Sequence, residues 1–290
     1  MMIRKDFISP YTQVFCVIGF PIEHSMSPIM HNAAINELNL DYIYLAFNIH
    51  PRNLKFAVNG FRALNIKGIN VTIPFKQKIM GYLDEIEPLA HKIGAVNTIK
   101  NDKGHLIGRN TDGEGAMKAI SDAGALISGK NILLLGAGGA GRTLAFNMAK
   151  NANKIVIANR TETTAVKLAK DIKKYYKINV EGKNNSINVL KEESKKADVL
   201  INTTPIGMHP NTEKSPIPSK FLHDSLFVFD LVYNPLETKL MKEAAEIGCK
   251  VLGGLDMLIN QGALAFEWWT GKIPNNQLMK SKVMEYLRLI

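Results

Sequence analysis

The chain has 290 residues, of which 46% are hydrophobic, and this composition suits one large or two moderate folded domains and argues against disorder. Its formal net charge of +10 would suit a nucleic-acid-binding protein. However, the lysines are spread along the chain, mostly on polar helix faces, which favours a solvated basic surface that attracts small anions. No apolar run approaches the ~18 residues of a membrane helix, so we expect no membrane span.

The N-terminal sequence and the cysteines indicate the compartment. Met1 to Asp6 lack the apolar region of a secretory signal, so we expect a cytoplasmic protein. Cys16 and Cys249 both lie in apolar, strand-like runs, which predicts two reduced thiols in the core. Because no Cys/His cluster accompanies them, no metal site is expected.

Strand-like and helix-like segments alternate through the first half of the chain. The predicted strands are 14–19, 42–49 and 67–71, and the predicted helices are 27–38 and 51–64. Segments 95–100 and 105–108 suit a hairpin across residues 101–104, and a helix follows at 112–123. This order predicts an α/β fold with a mainly parallel sheet covered by helices.

A second alternating series begins near residue 130. Its predicted strands are 132–135, 154–158, 198–202, 226–231 and 250–252, followed by helices 255–269 and 276–289. The polar stretch 177–195 is expected to include a surface loop. We therefore predict two domains: 1–112, completed by the C-terminal helices 256–290, for substrate binding and catalysis, and 113–255, a Rossmann-type dinucleotide-binding domain.

A glycine-rich turn follows the first strand of this second series. It reads Gly136-Ala-Gly138-Gly139-Ala140-Gly141, between an apolar strand and a helix-length segment. In a dinucleotide-binding unit the first glycine permits the tight turn, the second lets a pyrophosphate approach, and the third lets the helix pack on its strand. The alternative is a glycine-rich turn in another kind of βαβ unit, but the complete strand, helix and strand context favours dinucleotide binding.

The end of the next strand indicates which dinucleotide binds. An NAD-binding unit usually has Asp or Glu there, whereas this chain has Asn159, Arg160 and Thr161. An acid would repel the 2′-phosphate of NADP, and an arginine pairs with it. The sequence therefore predicts NADP as the cofactor.

Four polar clusters in the first half of the chain could carry chemistry. Ser25 and Ser27 precede a helix, Lys76 follows a predicted strand and a proline turn, Asn97 follows Gly94, and Asp112 begins a helix. Helix capping would also explain Ser27 and Asp112, and an ordinary solvated lysine would explain Lys76. Because all four clusters lie at the ends of elements beside a dinucleotide unit, they predict a site for a small polyhydroxylated anion.

These motifs resemble those of the shikimate dehydrogenases over nearly the whole chain. The resemblance rests on Ser25-Met-Ser27-Pro28, Asn70-Val-Thr72-Ile-Pro74-Phe-Lys76, Gly94-Ala-Val-Asn97-Thr98, Asn110-Thr-Asp112-Gly113, the glycine turn, Asn159-Arg160-Thr161, Asn202-Thr203-Thr-Pro-Ile-Gly207-Met208, Asp230-Leu-Val-Tyr233-Asn-Pro235 and Gly253-Gly254-Leu-Asp-Met257-Leu-Ile-Asn-Gln261-Gly262. It implies reversible, NADP-dependent reduction of 3-dehydroshikimate to shikimate, a step of aromatic amino-acid biosynthesis.

The resemblance also implies roles for individual residues. Lys76 and Asp112 would form the catalytic acid–base pair. The substrate-binding residues would be Ser25, Ser27, Thr72, Asn97, Tyr233 and Gln261. The cofactor-binding residues would be Gly136, Gly138, Gly139, Ala140, Gly141, Asn159, Arg160, Thr161, Thr203, Gly254 and Met257.

One departure and two alternatives stay open. Many NADP-dependent relatives have a second basic residue where this chain has Thr163 and Thr164, so the strength of the NADP preference is open. A quinate/shikimate dehydrogenase with broader use of substrates and of NAD or NADP is the close alternative, and a non-catalytic NADP-binding regulator is a more distant one. The sequence is compatible with a homodimer and gives no sign of a partner other than a small-molecule substrate.

Overall fold

The computed structural model of the protein describes residues 8–289. The first six residues, on which the expectation of no signal sequence depends, lie outside this range. The chain forms two compact units, one comprising the residues up to Thr111 together with those from Ile259 onward, and the other Asp112–Leu258. Each unit contains one six-stranded sheet.

Strands and helices are numbered here in chain order. The strands are β1 Gln13–Gly19, β2 Tyr42–Asn48, β3 Gly68–Val71, β4 Glu85–Ile86, β5 Thr98–Asp102, β6 His105–Arg109, β7 Asn131–Leu135, β8 Lys154–Asn159, β9 Asn179–Asn184, β10 Val199–Asn202, β11 Phe227–Asp230 and β12 Lys250–Gly253. The α-helices are α1 Ser27–Glu37, α2 Leu54–Ala63, α3 Pro88–Ile93, α4 Asp112–Asp122, α5 Gly139–Met148, α6 Glu162–Lys173, α7 Ile187–Ser194, α8 Lys239–Ile247, α9 Gly254–Thr270 and α10 Asn276–Leu287.

The sheet of the first unit has the order β2-β1-β3-β5-β6-β4. Strands β1, β2 and β3 are parallel, while β5 runs antiparallel to both β3 and β6. The predicted hairpin is confirmed as β5–β6, although both its strands extend beyond the prediction at their carboxyl ends. It turns through Lys103 and Gly104, whose φ angles of 51° and 93° are the positive values that a two-residue turn of this kind needs.

The last part of α9 belongs to the first unit and packs on its sheet through Trp269. The Trp269 ring stacks on Phe15 of β1 at 4.9 Å between ring centroids. Its indole N–H donates to the carbonyl of Ile99 in β5 at 2.9 Å. Gly68 of β3 lies against the same ring, where a side chain would collide with it. Trp269 therefore serves packing within the first unit.

The sheet of the second unit is entirely parallel and has the order β9-β8-β7-β10-β11-β12. Counted from β7, this is the doubly wound order of the Rossmann fold, in which the chain first adds strands on one side and then on the other. The direction reverses between β7 and β10, and ligands of such sheets bind beyond the carboxyl ends of the strands at this point. The predicted Rossmann-type fold is confirmed.

Residues 177–195 contain more regular structure than the sequence predicted. Strand β9 and helix α7 occupy most of this stretch, leaving only short connections. Strand β9 is the edge of its sheet, and Val180 is its only fully buried side chain. An edge strand with so few buried residues lacks the apolar run by which the other strands were predicted.

Candidate functional site

Ser25 and Ser27 lie at the start of α1, where the chain leaves β1. The backbone N–H of Ser27 donates to the Ser25 hydroxyl at 3.3 Å. Met26 is the N-cap residue and Ser27 is the first helical residue, so the Ser27 side chain does not cap the helix in the way the alternative reading supposed. Ser27 is buried and Ser25 is half-buried. The hydroxyl of Ser27 is therefore not used to cap the helix.

The carboxyl end of β3 carries a buried amide. Asn70 accepts a hydrogen bond from the Tyr44 hydroxyl at 2.7 Å through its Oδ1. Its Nδ2 donates to the carbonyl of Asn97 at 3.3 Å and to the Thr98 hydroxyl at 3.2 Å. Asn70 thus connects Tyr44 of β2 to Thr98 of β5. These contacts lie at the carboxyl end of β3, and the predicted catalytic residue Lys76 follows that strand.

Asn97 is the centre of the polar group and is only 2% exposed. Its Oδ1 accepts from the Thr111 backbone N–H at 2.7 Å and from the Thr98 hydroxyl at 3.0 Å. Its Nδ2 donates to the Thr111 hydroxyl at 3.0 Å and to Gln261 Oε1 at 3.3 Å. Two of the predicted substrate-binding residues, Asn97 and Gln261, are therefore in direct contact although 164 positions separate them in the chain.

Thr72 and Lys76 follow β3 in a tight connection. The Thr72 N–H donates to the carbonyl of Ile18 at 3.0 Å, and the Thr72 carbonyl accepts from Phe75 at 2.9 Å. Phe75 is fully buried and anchors the segment. The carbonyl of Lys76 accepts from the N–H of Val96 at 2.8 Å, one residue before Asn97. This hydrogen bond fixes the backbone of Lys76 beside the segment that leads into β5. Lys76 itself is half-buried.

Asp112 begins α4 and belongs to the second unit, directly after Thr111 of the first. Its side chain is buried. The next residue, Gly113, lies so close to the Asn147 amide of α5 that any side chain at this position would collide with it. Helix α5 therefore packs closely against the first turn of α4, which fixes the backbone that carries the Asp112 carboxylate.

The glycine turn of the second unit has the geometry predicted for it. Gly136 has a φ of 104°, and a side-chain carbon there would lie 2.6 Å from the Thr203 hydroxyl. A side-chain carbon on Gly141 would lie 2.8 Å from the same hydroxyl and closer still to the carbonyl of Gly136. Gly138 and Gly139, by contrast, have no atom within 4 Å of a side-chain carbon built on them. The turn is closed on its inner side and open above the start of α5, where the sequence placed the pyrophosphate.

Asn159, Arg160 and Thr161 follow β8, the strand next to β7. The Asn159 Oδ1 accepts from the N–H of Ala137 in the glycine turn at 3.2 Å, and its Nδ2 donates to the carbonyl of Thr161 at 2.9 Å. Asn159 therefore also holds the glycine turn against the end of β8, a structural role that the sequence did not indicate. Arg160 and Thr161 are exposed at the start of α6.

The other predicted cofactor residues follow β10 and β12, and the predicted substrate-binding residue Tyr233 follows β11. Thr203 donates to the carbonyl of Leu135 at 2.8 Å, which ties the end of β10 to the glycine turn. Tyr233 follows β11 and is half-buried, while Gly254 begins α9 against the carbonyl of Leu231. Met257 is buried one turn further along α9.

Several buried polar residues near the predicted sites were given no role by the sequence analysis. Asp230 is fully buried at the end of β11 and accepts from Asn202, Thr238 and the backbone of Val232. Burial raises the pKa of its carboxyl group, and these three donors oppose the shift. Tyr44, Asn70 and Thr111 of the first unit were also not assigned roles. A polar residue within an otherwise apolar strand was the signal that could have identified Tyr44 and Asn70.

A cluster of three or more His, Cys, Asp or Glu side chains suited to a metal ion is absent from residues 8–289. Within the same residues, no helix combines the length and the apolar character that crossing a membrane requires.

Three family descriptions match successive parts of the chain. Residues 17–99 match the shikimate dehydrogenase substrate-binding domain, 117–235 match shikimate/quinate 5-dehydrogenase, and 254–284 match the shikimate 5-dehydrogenase C-terminal domain. The shikimate dehydrogenase (NADP(+)) of Methanocaldococcus jannaschii is 49% identical over 280 residues, which cover 96% of this chain and 98% of that protein.

Solved structures agree with these matches. A shikimate dehydrogenase crystallised with NADP+ superposes with a TM-score of 0.92 at 46% identity, covering 97% of this chain and 98% of its own. The shikimate 5-dehydrogenase of Listeria monocytogenes, in complex with shikimate and NAD, gives a TM-score of 0.89 at 39% identity, covering 94% and 96%.

The fold and the glycine turn define a two-unit α/β protein of the dinucleotide-binding class, with a second polar site in its first unit. Within that class, the chain belongs to the shikimate dehydrogenase family. The resemblance stated from the motifs is confirmed.

Proposed function

We propose that this protein is an oxidoreductase that interconverts 3-dehydroshikimate and shikimate with NADP(H). The observation that carries the proposal is the buried group around Asn97, in which the Asn97 amide just before β5, an amide from α9 and the hydroxyl of Thr111 converge. Such a set of neutral donors and acceptors suits the hydroxyl groups of a polyhydroxylated ring. The 49% identity to an enzyme named for this activity supports it.

The residues of the second unit fit NADP. The open space above Gly138 and Gly139 at the start of α5 suits a pyrophosphate, because unpaired N–H groups and the positive end of the helix dipole stabilise anions there. The exposed guanidinium of Arg160 suits the adenosine 2′-phosphate. We therefore assign the pyrophosphate to Gly136–Gly141 and the 2′-phosphate to Arg160 with Thr161. Thr203, Gly254 and Met257 are assigned to the nicotinamide half.

The chemistry assigned to Lys76 and Asp112 is proton transfer and orientation. NADPH, when bound, supplies the hydride that reduces the ketone. Lys76 as an ammonium then donates a proton to the developing alkoxide oxygen, and as a neutral amine it accepts that proton in the reverse direction. Asp112 is assigned as the other member of the acid–base pair, and its carboxylate accepts a hydrogen bond from a ring hydroxyl.

The remaining substrate contacts follow from the chemistry of the ring. Two hydroxyls at the start of α1, those of Ser25 and Ser27, suit its carboxylate. Thr72, Asn97 and Gln261 are assigned to its hydroxyl groups, and Tyr233 to the side of the ring nearest the nicotinamide. On this proposal, residues 1–112 with 256–290 form the substrate domain and residues 113–255 the cofactor domain.

The test is a set of initial rates with shikimate or quinate, each against NADP and NAD. We expect saturable turnover of shikimate with NADP, a lower kcat/KM with NAD, and the lowest values with quinate. Comparable kcat/KM values for quinate would contradict a dedicated shikimate dehydrogenase. The absence of turnover with all four pairs would contradict enzymatic function and favour an NADP-binding regulator.

A further inference from the structure

Tyr44 lies at the centre of β2 and connects two parts of the first unit that carry assigned substrate contacts. It is 1% exposed, although its phenol hydroxyl is polar. On one side lies α1, which carries Ser27, and on the other lies Asn70 at the end of β3. None of the roles assigned above involves Tyr44.

Helix α1 is fixed to Tyr44 by two successive residues. The Asn32 side chain accepts from the Tyr44 N–H and donates to the Tyr44 carbonyl, both at 2.9 Å. The His31 ring stacks on the Tyr44 ring at 4.3 Å between centroids, with only 2° between the ring planes. Burial lowers the pKa of His31 to about 3, so this stack is between two neutral rings at physiological pH. Ser27 lies four residues before His31, about one helical turn, and thus on the same face of α1.

The hydrogen bonds of Asn70 determine the direction of the Tyr44 hydroxyl. The Asn70 NH₂ group is directed to the Asn97 carbonyl and the Thr98 hydroxyl, so its Oδ1 is directed to Tyr44. Tyr44 must therefore donate to Asn70, and its oxygen retains a lone pair that can accept. Burial raises the pKa of this phenol well above its usual range, and a hydrogen bond with the Ser27 hydroxyl opposes the shift.

A continuous run of polar contacts results. It starts at Ser27, passes through Tyr44, Asn70 and Thr98 to Asn97, and ends at Gln261. The residues assigned to the substrate carboxylate and those assigned to its hydroxyl groups are the two ends of this run. The hydroxyl of Tyr44 joins the part on α1 to the part on β3 and β5.

We propose that Tyr44 is a positioning residue that fixes the separation of Ser27 from the Asn97–Gln261 pair, and so sets how well the ring and its carboxylate are held together. This inference rests on the proposed function, because it takes shikimate as the ligand of both ends. Tyr44 acts through Ser27 and Asn70 and does not touch the reacting atoms, so its effect falls on substrate affinity.

The test compares Tyr44→Phe with Tyr42→Phe. The first variant keeps the ring that stacks on His31 and removes only the hydroxyl. The second removes the hydroxyl of another tyrosine on β2, whose ring stacks on Phe15 at 4.5 Å. We expect Tyr44→Phe to raise KM for shikimate about 3- to 10-fold, the effect of one hydrogen bond, with kcat and KM for NADP near wild type. Tyr42→Phe should leave all three unchanged.

A double-mutant cycle with Ser27→Ala separates positioning from general loosening of the fold. If Tyr44 acts through Ser27, removing its hydroxyl should raise KM less in the Ser27→Ala background than in the wild type. Equal fold-changes in both backgrounds, or a Tyr44→Phe variant with wild-type KM, would overturn the inference. If Tyr44→Phe does not fold, Asn32→Asp loosens the same connection from α1 and should also raise KM for shikimate; no change would then overturn it.

The outcomes distinguish the two proposals. A wild-type protein that turns over shikimate while Tyr44→Phe behaves like Tyr42→Phe refutes the role of Tyr44 alone. A wild-type protein that does not turn over shikimate refutes both.

Discussion

Truncating Asn97 should separate the contribution of the buried polar group to stability from its contribution to substrate binding. The Asn97→Ala variant removes both amide atoms at the centre of the group. Asn101 offers a matched control four residues further along the chain, within β5. It is similarly buried, at 5% exposure, and its amide donates to the carbonyls of Phe61 and Ile66 at 3.0 and 2.9 Å and accepts from Gly104 at 2.7 Å.

The expected loss of stability follows from the bonds that each variant breaks. Asn97 makes hydrogen bonds to Thr98, Thr111 and Gln261, and its removal leaves the Thr111 N–H buried without an acceptor. With a net contribution of about 1 kcal/mol for each bond and about 1–3 kcal/mol for the orphaned donor, partly offset by relaxation, the free energy of unfolding should fall by about 2–4 kcal/mol. Asn101→Ala should cost a similar amount, because it orphans the Gly104 N–H.

Urea unfolding followed by tryptophan fluorescence is the appropriate assay, because both tryptophans, Trp268 and Trp269, lie in the first unit. Substrate binding is then read from KM for shikimate below the unfolding transition. We expect Asn97→Ala to raise KM about 10-fold, the effect of one lost hydrogen bond to the ring, and Asn101→Ala to leave it unchanged. Equal effects of the two variants on KM would refute the reasoning, because the Asn97 group would then serve stability alone.

Three further results are expected. Ser25→Ala should raise KM for shikimate by about 10-fold or more, since a hydroxyl bonded to a carboxylate contributes about 1.5–3 kcal/mol, and a loss of kcat with normal KM would contradict that role. Arg160→Ala should lower kcat/KM for NADP by about 10-fold or more while leaving that for NAD nearly unchanged, and equal losses with both cofactors would argue against a phosphate contact. Burial on folding lowers the pKa of His31 from 6.5 to about 3. Between these pH values His31 is therefore protonated in the unfolded chain and neutral in the folded chain. Stability should therefore be lost as the pH falls from 6.5 towards 3, by about 2 kcal/mol at pH 5. His31→Phe should remove this loss in urea titrations at pH 7 and pH 5, and parallel pH dependences of the two proteins would contradict it.

The second unit was more predictable from the sequence than the first. Its parallel strands are buried on both faces and give short apolar runs, and its glycine turn needs particular residues at particular positions. Strand β9 was not predicted, because its edge position leaves Val180 as its only fully buried side chain. Helix α3 was also not predicted, since at six residues it is too short to show a helical period.

The candidate site of the first unit could be predicted only in part. Motifs identified Ser27, Asn97 and Gln261, but the contact between Asn97 and Gln261 joins the residue before β5 to α9 across 164 positions, and no local pattern encodes such a pairing. Tyr44 resembles any aromatic strand residue until the fold brings Asn70 to its hydroxyl. The identities of the polar residues were therefore readable from the sequence, and their connections required the structure.

The account depends most directly on Lys76 as the group that transfers the proton. The decisive measurement is the single-turnover rate of NADPH oxidation by 3-dehydroshikimate in Lys76→Ala, with NADPH binding measured on the same protein. The account predicts a rate lower by about 10²- to 10⁴-fold and unchanged cofactor binding. A Lys76→Ala protein that oxidises NADPH at the wild-type rate would contradict it.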